Sequence, residues 1–332
     1  MTRLYRISPE HPEPGPLEDA ARALRRGELV TFPTETVYGL GANGLDPAAV
    51  RRIFAAKGRP GDNPLILHVE SIERARDVAL VDSRAEALFR SYAPGPLTLV
   101  LPARECVPSV TRGGLPTVGV RIPDSSIALE LIRRSRVPVA APSANSSGRP
   151  SPTDVATVLE DLGDFVAVAL DGGPTRVGLE STVLDVSVPV PVLLRPGEIT
   201  LEDLLECLGE VRVSGEAEEL RRSPGTRYRH YAPRIPLYLW TPREGEALFA
   251  LLASRGEEPG YMGIASPLHA PKYRIIFEDL PQYAREFYRC LRKFEVQGVS
   301  CIVAELPEKT ALGRALEDRL RRAAGEEGKK SI

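Results

Sequence analysis

Residues 17–40 read LEDAARALRRGELVTFPTETVYGL. The spacing of the apolar residues predicts an amphipathic helix over Leu17–Gly27, and the run Glu28–Phe32 predicts a buried strand. A loop rich in Thr, Pro and Gly follows over residues 33–40. A helix, a strand and a polar loop in this order are typical of α/β folds, in which ligands bind outside the carboxyl ends of the strands.

The same alternation continues to residue 209 and predicts an α/β domain with a large mixed sheet over residues 1–209. Asp46 and Pro47 read as the N-cap and first residue of a helix that ends near Lys57-Gly58. The other predicted helices are Ser125–Arg134, Thr153–Leu162 and Leu201–Leu208. The predicted strands are Pro64–Val69, Pro96–Leu101, Thr117–Ile122, Val137–Ala141, Val166–Leu170, Thr182–Val186 and Val190–Leu194.

Residues 210–235 are polar and rich in turn-forming residues, which is typical of a linker between domains. From residue 236 a second alternation predicts a smaller, Rossmann-like α/β domain over residues 236–332. Its predicted strands are Pro236–Trp240, Tyr261–Ala265, Tyr273–Phe277 and Cys301–Glu305, and its predicted helices are Glu244–Ser254, Gln282–Val296 and Gly313–Ala324. The sequence therefore predicts a domain over 1–209, a linker over 210–235 and a second domain over 236–332.

The composition argues against several classes of protein. The net charge is -2, and residues 1–209 carry 22 Lys and Arg against 27 Asp and Glu, so we expect no stable binding of nucleic acid. No apolar run is long enough to span a membrane, and the N-terminus lacks the apolar segment of a signal peptide, so we expect a cytoplasmic protein. The four cysteines form no Cys-x-x-Cys motif, and we expect no metal site.

Four loop segments, each after a predicted strand or helix, are candidates for ligand binding. They are Pro33–Leu40, Lys57–Leu65, Ala141–Gly148 and Arg195–Gly197. The chain has no Walker A motif, so a P-loop is excluded. Lys and Arg side chains, Ser hydroxyls and loop N–H groups can still hold a phosphate.

These segments resemble the threonylcarbamoyl-AMP synthase family. The matching stretches, in chain order, are PTETVYGLG (33–41), KGRPGDNPL (57–65), PSAN (142–145) and SPGTRYRHYAP (223–233), with Ala311–Ala324 resembling the end of the family's long form. The resemblance implies a YrdC-like domain, an open and twisted mixed sheet with helices, linked to a smaller C-terminal domain.

The resemblance also implies the reaction. L-threonine, bicarbonate or CO2, and ATP give L-threonylcarbamoyl-AMP and pyrophosphate, which makes the enzyme a nucleotidyltransferase. Mg²⁺ is expected to accompany ATP. The product would pass to a downstream tRNA threonylcarbamoyl transferase, which modifies the adenosine next to the anticodon. Such a reaction needs positioning and positive charge rather than a protein nucleophile, and this fits a sequence without an obvious nucleophile.

By resemblance, Lys57 and Arg59 are the catalytic cations: Arg59 holds phosphate, and Lys57 neutralises the charge that develops at the α-phosphate. The residue pattern alone allows a simpler role for Lys57, because a cation in the last turn of a helix complements the helix dipole.

The threonine contacts implied by the resemblance are Thr34, Thr36, His68, Arg121, Ala141 and Ser181. Alternatives from the residues alone stay open: the two threonines can cap a turn, and His68 can be a structural histidine. Arg121 stands in an apolar strand and needs a carboxylate partner, which can be a protein Asp or Glu or the carboxylate of the substrate.

The ATP contacts implied by the resemblance are Arg59, Asn63, Thr117, Ser143, Asn145, Ser151 and Arg195, with Ser223, His230 and Tyr231 from the linker. The linker is aromatic and cationic, and we expect it to fold back as a lid over the ligands. The alternative is a linker whose aromatic residues pack only against a domain surface.

Two other functions stay open at this point. An RNA-binding module would bind RNA without turning over ATP and threonine. A carbamoyltransferase would use carbamoyl phosphate, although relatives of that kind carry further metal-binding or catalytic domains that this chain lacks. Release of pyrophosphate that depends on ATP and threonine, without RNA, distinguishes the three.

Overall fold

The computed structural model describes residues 1–215, 219, 222, 230–244, 246–268 and 271–325. Its helices are α1 (Pro14–Arg25), α2 (Pro47–Lys57), α3 (Ile72–Val78), α4 (Ser83–Tyr92), α5 (Ser126–Ser135), α6 (Val155–Leu162), α7 (Leu201–Leu208), α8 (Ala247–Ser254), α9 (Leu280–Gln297) and α10 (Ala311–Ala324). Its strands are β1 (Arg3–Arg6), β2 (Val30–Phe32), β3 (Gly39–Asn43), β4 (Ile66–His68), β5 (Leu97–Pro102), β6 (Thr117–Arg121), β7 (Val139–Ala140), β8 (Val168–Asp171), β9 (Thr182–Asp185), β10 (Val192–Arg195), β11 (Arg212–Val213), β12 (Leu237–Trp240), β13 (Pro259–Gly263), β14 (Tyr273–Ile276) and β15 (Cys301–Glu305).

The first sheet is mixed and has eleven strands in the order β1-β8-β2-β3-β7-β4-β6-β5-β9-β10-β11. Successive residues of its strands face opposite sides: Val168 and Leu170 pack with α1 and α5, whereas Ala169 belongs to the larger apolar cluster on the other face. The second sheet is parallel, in the order β12-β15-β13-β14. The predicted α/β architecture, a large mixed sheet and a smaller parallel one, is confirmed.

Helix α2 begins and ends where its sequence predicts. The Asp46 side chain accepts a hydrogen bond from the Ala48 amide, Pro47 is the first helical residue, and Gly58 ends the helix with a φ of 61°. Only glycine adopts this left-handed conformation at little cost, so the helix stops at Lys57 and the chain turns into residues 59–65.

Other elements differ from the predictions. The sequence did not predict α3, α4 or the strands β1, β3 and β11, of which β11 lies in the predicted linker and pairs with β10 of the first sheet. Helix α1 begins three residues early because Pro14 fills its first turn. Strand β13 begins at Pro259, although Pro-Gly is typical of a turn. Gly260 is needed in that strand because an added Cβ would lie 2.5 Å from the Phe294 ring.

The two sheets meet across helices α9 and α10. Val37, Leu179 and Tyr231 share one apolar cluster with buried residues of these helices. Two ion pairs between the sheets' layers join Arg292 to Asp161 at 2.6 Å and Arg149 to Glu295 at 2.7 Å. Among the described residues, no helix is long and apolar enough to cross a membrane.

Candidate active site

A cavity of about 660 Å³, counting its open mouth, lies against β3, β4, β6 and β7. Its wall is formed by Thr34, Thr36, Val37, Tyr38, Gly39, Arg59, Leu65, Ile66, His68, Arg121, Ala141, Pro142, Ser143, Asn145, Glu180, Ser181, Arg195, His230 and Tyr231. Residues from all four candidate loops therefore meet at one place, together with two residues that follow the linker's undescribed part.

Arg121, the last residue of β6, makes two hydrogen bonds and one ion-pair contact with its guanidinium. Its Nε donates to the Gly95 carbonyl at 3.3 Å, its Nη1 donates to Thr36 Oγ1 at 3.0 Å, and its Nη2 lies 2.7 Å from Glu35 Oε1. The protein carboxylate allowed by the sequence is thus present, and it is Glu35. A substrate carboxylate at this point would share the guanidinium with Glu35 rather than have it alone.

The Thr34–Thr36 turn keeps its hydroxyls in the cavity wall. Thr34 Oγ1 lies 2.8 Å from Thr36 Oγ1 and donates to the Val37 carbonyl at 2.7 Å. Thr34 Oγ1 also accepts hydrogen bonds from the Thr36 and Val37 amides at 3.2 and 3.3 Å. The turn-capping role of Thr34 is therefore observed, and the Thr36 hydroxyl is the one bound to Arg121.

His68 ends β4 beside Arg121 in the parallel pair β4–β6. Burial, and after it the positive charge of Arg121, lowers the pKa of His68 to about 3. The ring is therefore neutral near pH 7, and it can offer a hydrogen bond without adding charge. Its Nδ1 has no hydrogen-bond partner among the described residues.

Lys57 binds the loop that carries Ser143 and Asn145. Its Nζ donates to the Ser143 carbonyl at 2.6 Å and to the Asn145 carbonyl, and Ser143 Oγ donates to Asn145 Oδ1 at 2.6 Å. Burial, and then the charge of Arg59, holds the pKa of Lys57 well below its usual range. Lys57 is thus a support of the phosphate-binding candidates behind the cavity wall, while Arg59 is part of that wall.

Ser181 and Arg195 form a second polar corner. The Ser181 hydroxyl lies 2.8 Å from Thr98 Oγ1 and accepts from Arg195 Nη2 at 3.1 Å, and Arg195 Nε donates to the Ser181 carbonyl at 3.0 Å. The predicted threonine contact and the predicted ATP contact are therefore adjacent.

His230 and Tyr231 also line the cavity. Burial, followed by the charges of Arg59 and Lys57, lowers the pKa of His230 to about 3. The Ala232 amide donates to the Gly148 carbonyl at 2.8 Å, which ties this segment to the candidate loop over residues 141–148.

The remaining predicted residues are not part of the cavity wall, although some contact it. Lys57 is behind it, Ser151 donates to Glu180 at 2.6 Å, and the Asn63 carbonyl lies 3.5 Å from Arg59 Nη2. Thr117 begins β6, four residues from Arg121, or roughly 13 Å along an extended strand. Ser223 lies outside the described residues.

The sequence does not point to four residues that contact the cavity wall or belong to it: Glu35, Glu180, Tyr288 and Arg319. Glu35 stands between Thr34 and Thr36, two predicted contacts to threonine, and this position could have marked it as a site residue. Glu180 precedes Ser181 in the cavity wall, and its carboxylate binds Tyr288 and Arg319 of the second sheet's helices. Residues this far apart along the chain produce no local sequence pattern from which their contact could be predicted.

The described residues contain no group of three or more His, Cys, Asp or Glu side chains that could hold a metal ion. The cavity wall carries Arg59, Arg121 and Arg195 instead. Such a wall suits an anionic ligand.

Family models match both parts of the chain. One described as "Telomere recombination", for the Sua5, YciO and YrdC group, matches residues 22–197, and one described as "Threonylcarbamoyl-AMP synthase, C-terminal domain" matches residues 199–325. The threonylcarbamoyl-AMP synthase of Pyrococcus abyssi is 46% identical over 92% of this chain and 93% of its own, and that of Bacillus subtilis is 41% identical over 93% of each.

Solved structures agree with the sequence relatives. Sua5 of P. abyssi in complex with L-threonine has a TM-score of 0.92 and 43% identity, covering 97% of this chain and 98% of that one. A variant of the same protein, with a His and a Tyr replaced by Ala, has a TM-score of 0.92 and 42% identity over 98% and 96% of the chains. With both family models and full-length relatives in agreement, the chain belongs to the threonylcarbamoyl-AMP synthase family in its two-domain form.

Proposed function

We propose that this chain is a nucleotidyltransferase that makes L-threonylcarbamoyl-AMP and pyrophosphate from L-threonine, bicarbonate or CO2, and ATP. The observation that carries the proposal is a single cavity that combines two kinds of site. Arg121 with Thr36 suits an amino-acid carboxylate and hydroxyl, and Arg59, Ser143 and Arg195 suit phosphate. The relatives named as this enzyme, and one solved with L-threonine, support the same assignment.

The amino acid would occupy the part of the cavity around Arg121. Its carboxylate would bind the guanidinium beside Glu35, and its hydroxyl and amine would find hydrogen-bond partners among the polar groups nearby. The residues proposed for this role are Thr34, Thr36, His68, Arg121, Ala141 and Ser181.

The nucleotide would lie along the cationic side of the cavity. We assign its phosphates to Arg59, Ser143, Asn145 and Arg195, with Lys57 holding the Ser143–Asn145 loop in shape. Asn63, Thr117, Ser151 and Ser223 stay predictions as ATP contacts, because in the described structure they lie outside the cavity wall or outside the described residues.

The chemistry requires no protein nucleophile. The threonine amine adds to CO2 and loses a proton, giving a carbamate. A carbamate oxygen then attacks the α-phosphorus of ATP, the bond between that phosphorus and the bridging oxygen breaks, and pyrophosphate leaves with the electron pair. Arg59 and Arg195 would stabilise the negative charge that builds up on the phosphate oxygens. Mg²⁺ would arrive bound to ATP, because phosphate oxygens are ligands that it prefers.

The proposed division of the chain is a catalytic domain over residues 1–209, a linker over 210–235 and a second domain over 236–332. The position of His230 and Tyr231 in the cavity wall supports a linker that closes over the ligands. The product, a reactive mixed anhydride, would then need a transferase that passes its threonylcarbamoyl group to a tRNA adenosine and releases AMP.

The test is release of pyrophosphate by the purified chain, with ¹⁴C-bicarbonate as a second readout. We expect label in a product that contains threonine and AMP only when L-threonine, bicarbonate and ATP are all present. The reaction should need no RNA. Transfer from carbamoyl phosphate would favour the carbamoyltransferase instead. RNA binding without any pyrophosphate release would favour the RNA-binding module.

A further inference from the structure

The segment before β9 packs directly against the second sheet's longest helix. Gly178 has a φ of 81°, and a Cβ added there would lie 2.4 Å from the Arg285 Cα of α9. Any side chain at this position would therefore push the helix away. Two residues further on, Glu180 enters the cavity wall.

Glu180 receives hydrogen bonds from both sides of this contact. Ser151 Oγ donates to its Oε1 at 2.6 Å, Tyr288 of α9 donates to its Oε2 at 2.8 Å, and Nε of Arg319 in α10 donates to Oε2 at 2.9 Å. Arg319 Nη2 also donates to the Glu180 carbonyl at 3.3 Å, so the guanidinium holds both side chain and backbone.

The arrangement keeps a buried charge in place. Burial alone would raise the pKa of Glu180, but the charges of Arg319 and Arg195 and hydrogen bonds from Ser151 and Arg319 outweigh it, and the pKa stays below its usual value. Arg319 is fully buried, and Asp318 Oδ2 lies 2.7 Å from its Nη1. A buried carboxylate with this many donors has a single favoured orientation.

The orientation of Glu180 affects two neighbouring groups of the cavity wall, Ser181 and Tyr231. Ser181, the next residue, presents its hydroxyl to Thr98 and Arg195. The ring of Tyr231 lies 5.4 Å from that of Tyr288 and 5.9 Å from the Arg319 guanidinium. Groups on α9 and α10 thus touch the cavity wall through Glu180 and Tyr231.

We propose that Tyr288 and Arg319 are positioning residues: by holding Glu180 and Tyr231, they fix the wall of the active site that carries Ser181. This gives the second domain a part in catalysis without any contact of its own with substrate. The inference rests on the proposed function, since Ser181 is assigned there to threonine.

The test compares Tyr288→Phe with Glu295→Gln. Tyr288→Phe keeps the ring beside Tyr231 and removes one donor to Glu180. Glu295 lies on the same helix as Tyr288, forms an ion pair with Arg149 and accepts a hydrogen bond from the Arg234 amide at 2.6 Å. Glu295→Gln weakens the ion pair but keeps an oxygen that can accept from that amide, and neither Glu295 nor Arg149 lines the cavity. We expect Tyr288→Phe to raise the KM for L-threonine about tenfold, with a smaller change in kcat, because a hydrogen bond to a buried charge is lost. Glu295→Gln should leave both constants near those of the unchanged chain.

Arg319→Lys is the second variant, since it keeps the charge but loses the fork that spans carboxylate and carbonyl. We expect it to raise the same KM by tenfold or more. If this variant does not fold, Tyr288→Phe decides alone. A Tyr288→Phe enzyme whose KM for L-threonine matches that of Glu295→Gln would overturn the proposal.

Hydrogen exchange without ligands separates this inference from the proposed function. We expect faster exchange of the amides at residues 179–183 in Tyr288→Phe than in Glu295→Gln, because Glu180 loses a hydrogen bond. Equal exchange in the two variants would count against positioning, whether or not the chain makes the proposed product. If the unchanged chain makes no such product but exchange in Tyr288→Phe is faster as expected, the proposed function is rejected and the positioning role of Tyr288 is kept.

Discussion

Glu35 Oε1 lies 2.7 Å from Arg121 Nη2, and both side chains are almost completely buried. The guanidinium is therefore compensated before any substrate binds, and it does not stand as a bare charge in the cavity. An incoming carboxylate meets a guanidinium that is already oriented, but it also meets the negative charge of Glu35 close by.

Replacing Arg121 should separate the two ligands. We expect Arg121→Ala to lose about 2–4 kcal/mol of L-threonine binding, because one partner of a buried charge pair is removed. ATP binding should change little, since Arg59 and Arg195 stay in place. Calorimetric titration with each ligand measures both effects, and an equal loss for threonine and ATP would contradict the assignment.

Glu35→Gln tests the shared guanidinium directly. The variant leaves Arg121 without its carboxylate, so we expect a lower free energy of unfolding by about 3 kcal/mol. A substrate carboxylate would then replace the missing charge, and L-threonine should raise the melting temperature of the variant by more than that of the unchanged chain. The comparison is two thermal melts with and without L-threonine. An equal shift in both proteins would show that threonine does not meet Arg121.

Arg59 and Lys57 should fail in different ways. We expect Arg59→Ala to lower turnover by about 10²–10³, the usual cost of removing one preorganised charge. Lys57→Ala should lower turnover and also stability, because the Ser143 and Asn145 carbonyls lose their donor. Lys57 belongs to a candidate loop in the sequence analysis, but its Nζ is buried and hydrogen-bonded at the end of α2. Pyrophosphate assays and thermal melts of the two variants measure the difference, and near-normal turnover in both would reject the phosphate assignment.

His68 should make stability depend on pH. Its pKa is about 3 in the folded chain and near 6.5 when unfolded, so between these values only the unfolded chain takes up the proton. Stability is therefore fully present above about pH 6.5 and falls as the pH drops toward 3, by up to about 1.4 kcal/mol per pH unit. We expect His68→Gln to show a shallower fall than the unchanged chain in urea unfolding at pH 5, 6 and 7. The exposed His11→Gln serves as the control, and the hypothesis fails if both variants have the same slope.

Local signals predict much of the fold and the loops that line the candidate site. The Asp46-Pro47 start and the Gly58 stop of α2 depend on capping and backbone freedom within a few residues, and the structure agrees with them. The candidate loops likewise follow strands or helices whose apolar runs are visible in the sequence, and their residues meet in one cavity.

Long-range partners could not be predicted in this way. Arg319 and Glu180 are 139 positions apart, and Tyr288 is 108 positions from the same carboxylate. Their meeting depends on how α9 and α10 dock, which is a property of packing rather than of local pattern. The same reason explains Lys57, whose ammonium reaches carbonyls 86 and 88 positions away instead of the cavity.

Gly178 has a consequence for how the molecule unfolds. Because its backbone lies flush against α9, and because Val37, Leu179 and Tyr231 share an apolar cluster with α9 and α10, separating the two sheets would expose core residues on both sides. The two halves are then thermodynamically coupled, and neither reaches its full stability alone. Differential scanning calorimetry of the full chain should give one heat-absorption peak with equal calorimetric and van't Hoff enthalpies. Gly178→Ala, which forces the helix outward, should split that peak in two.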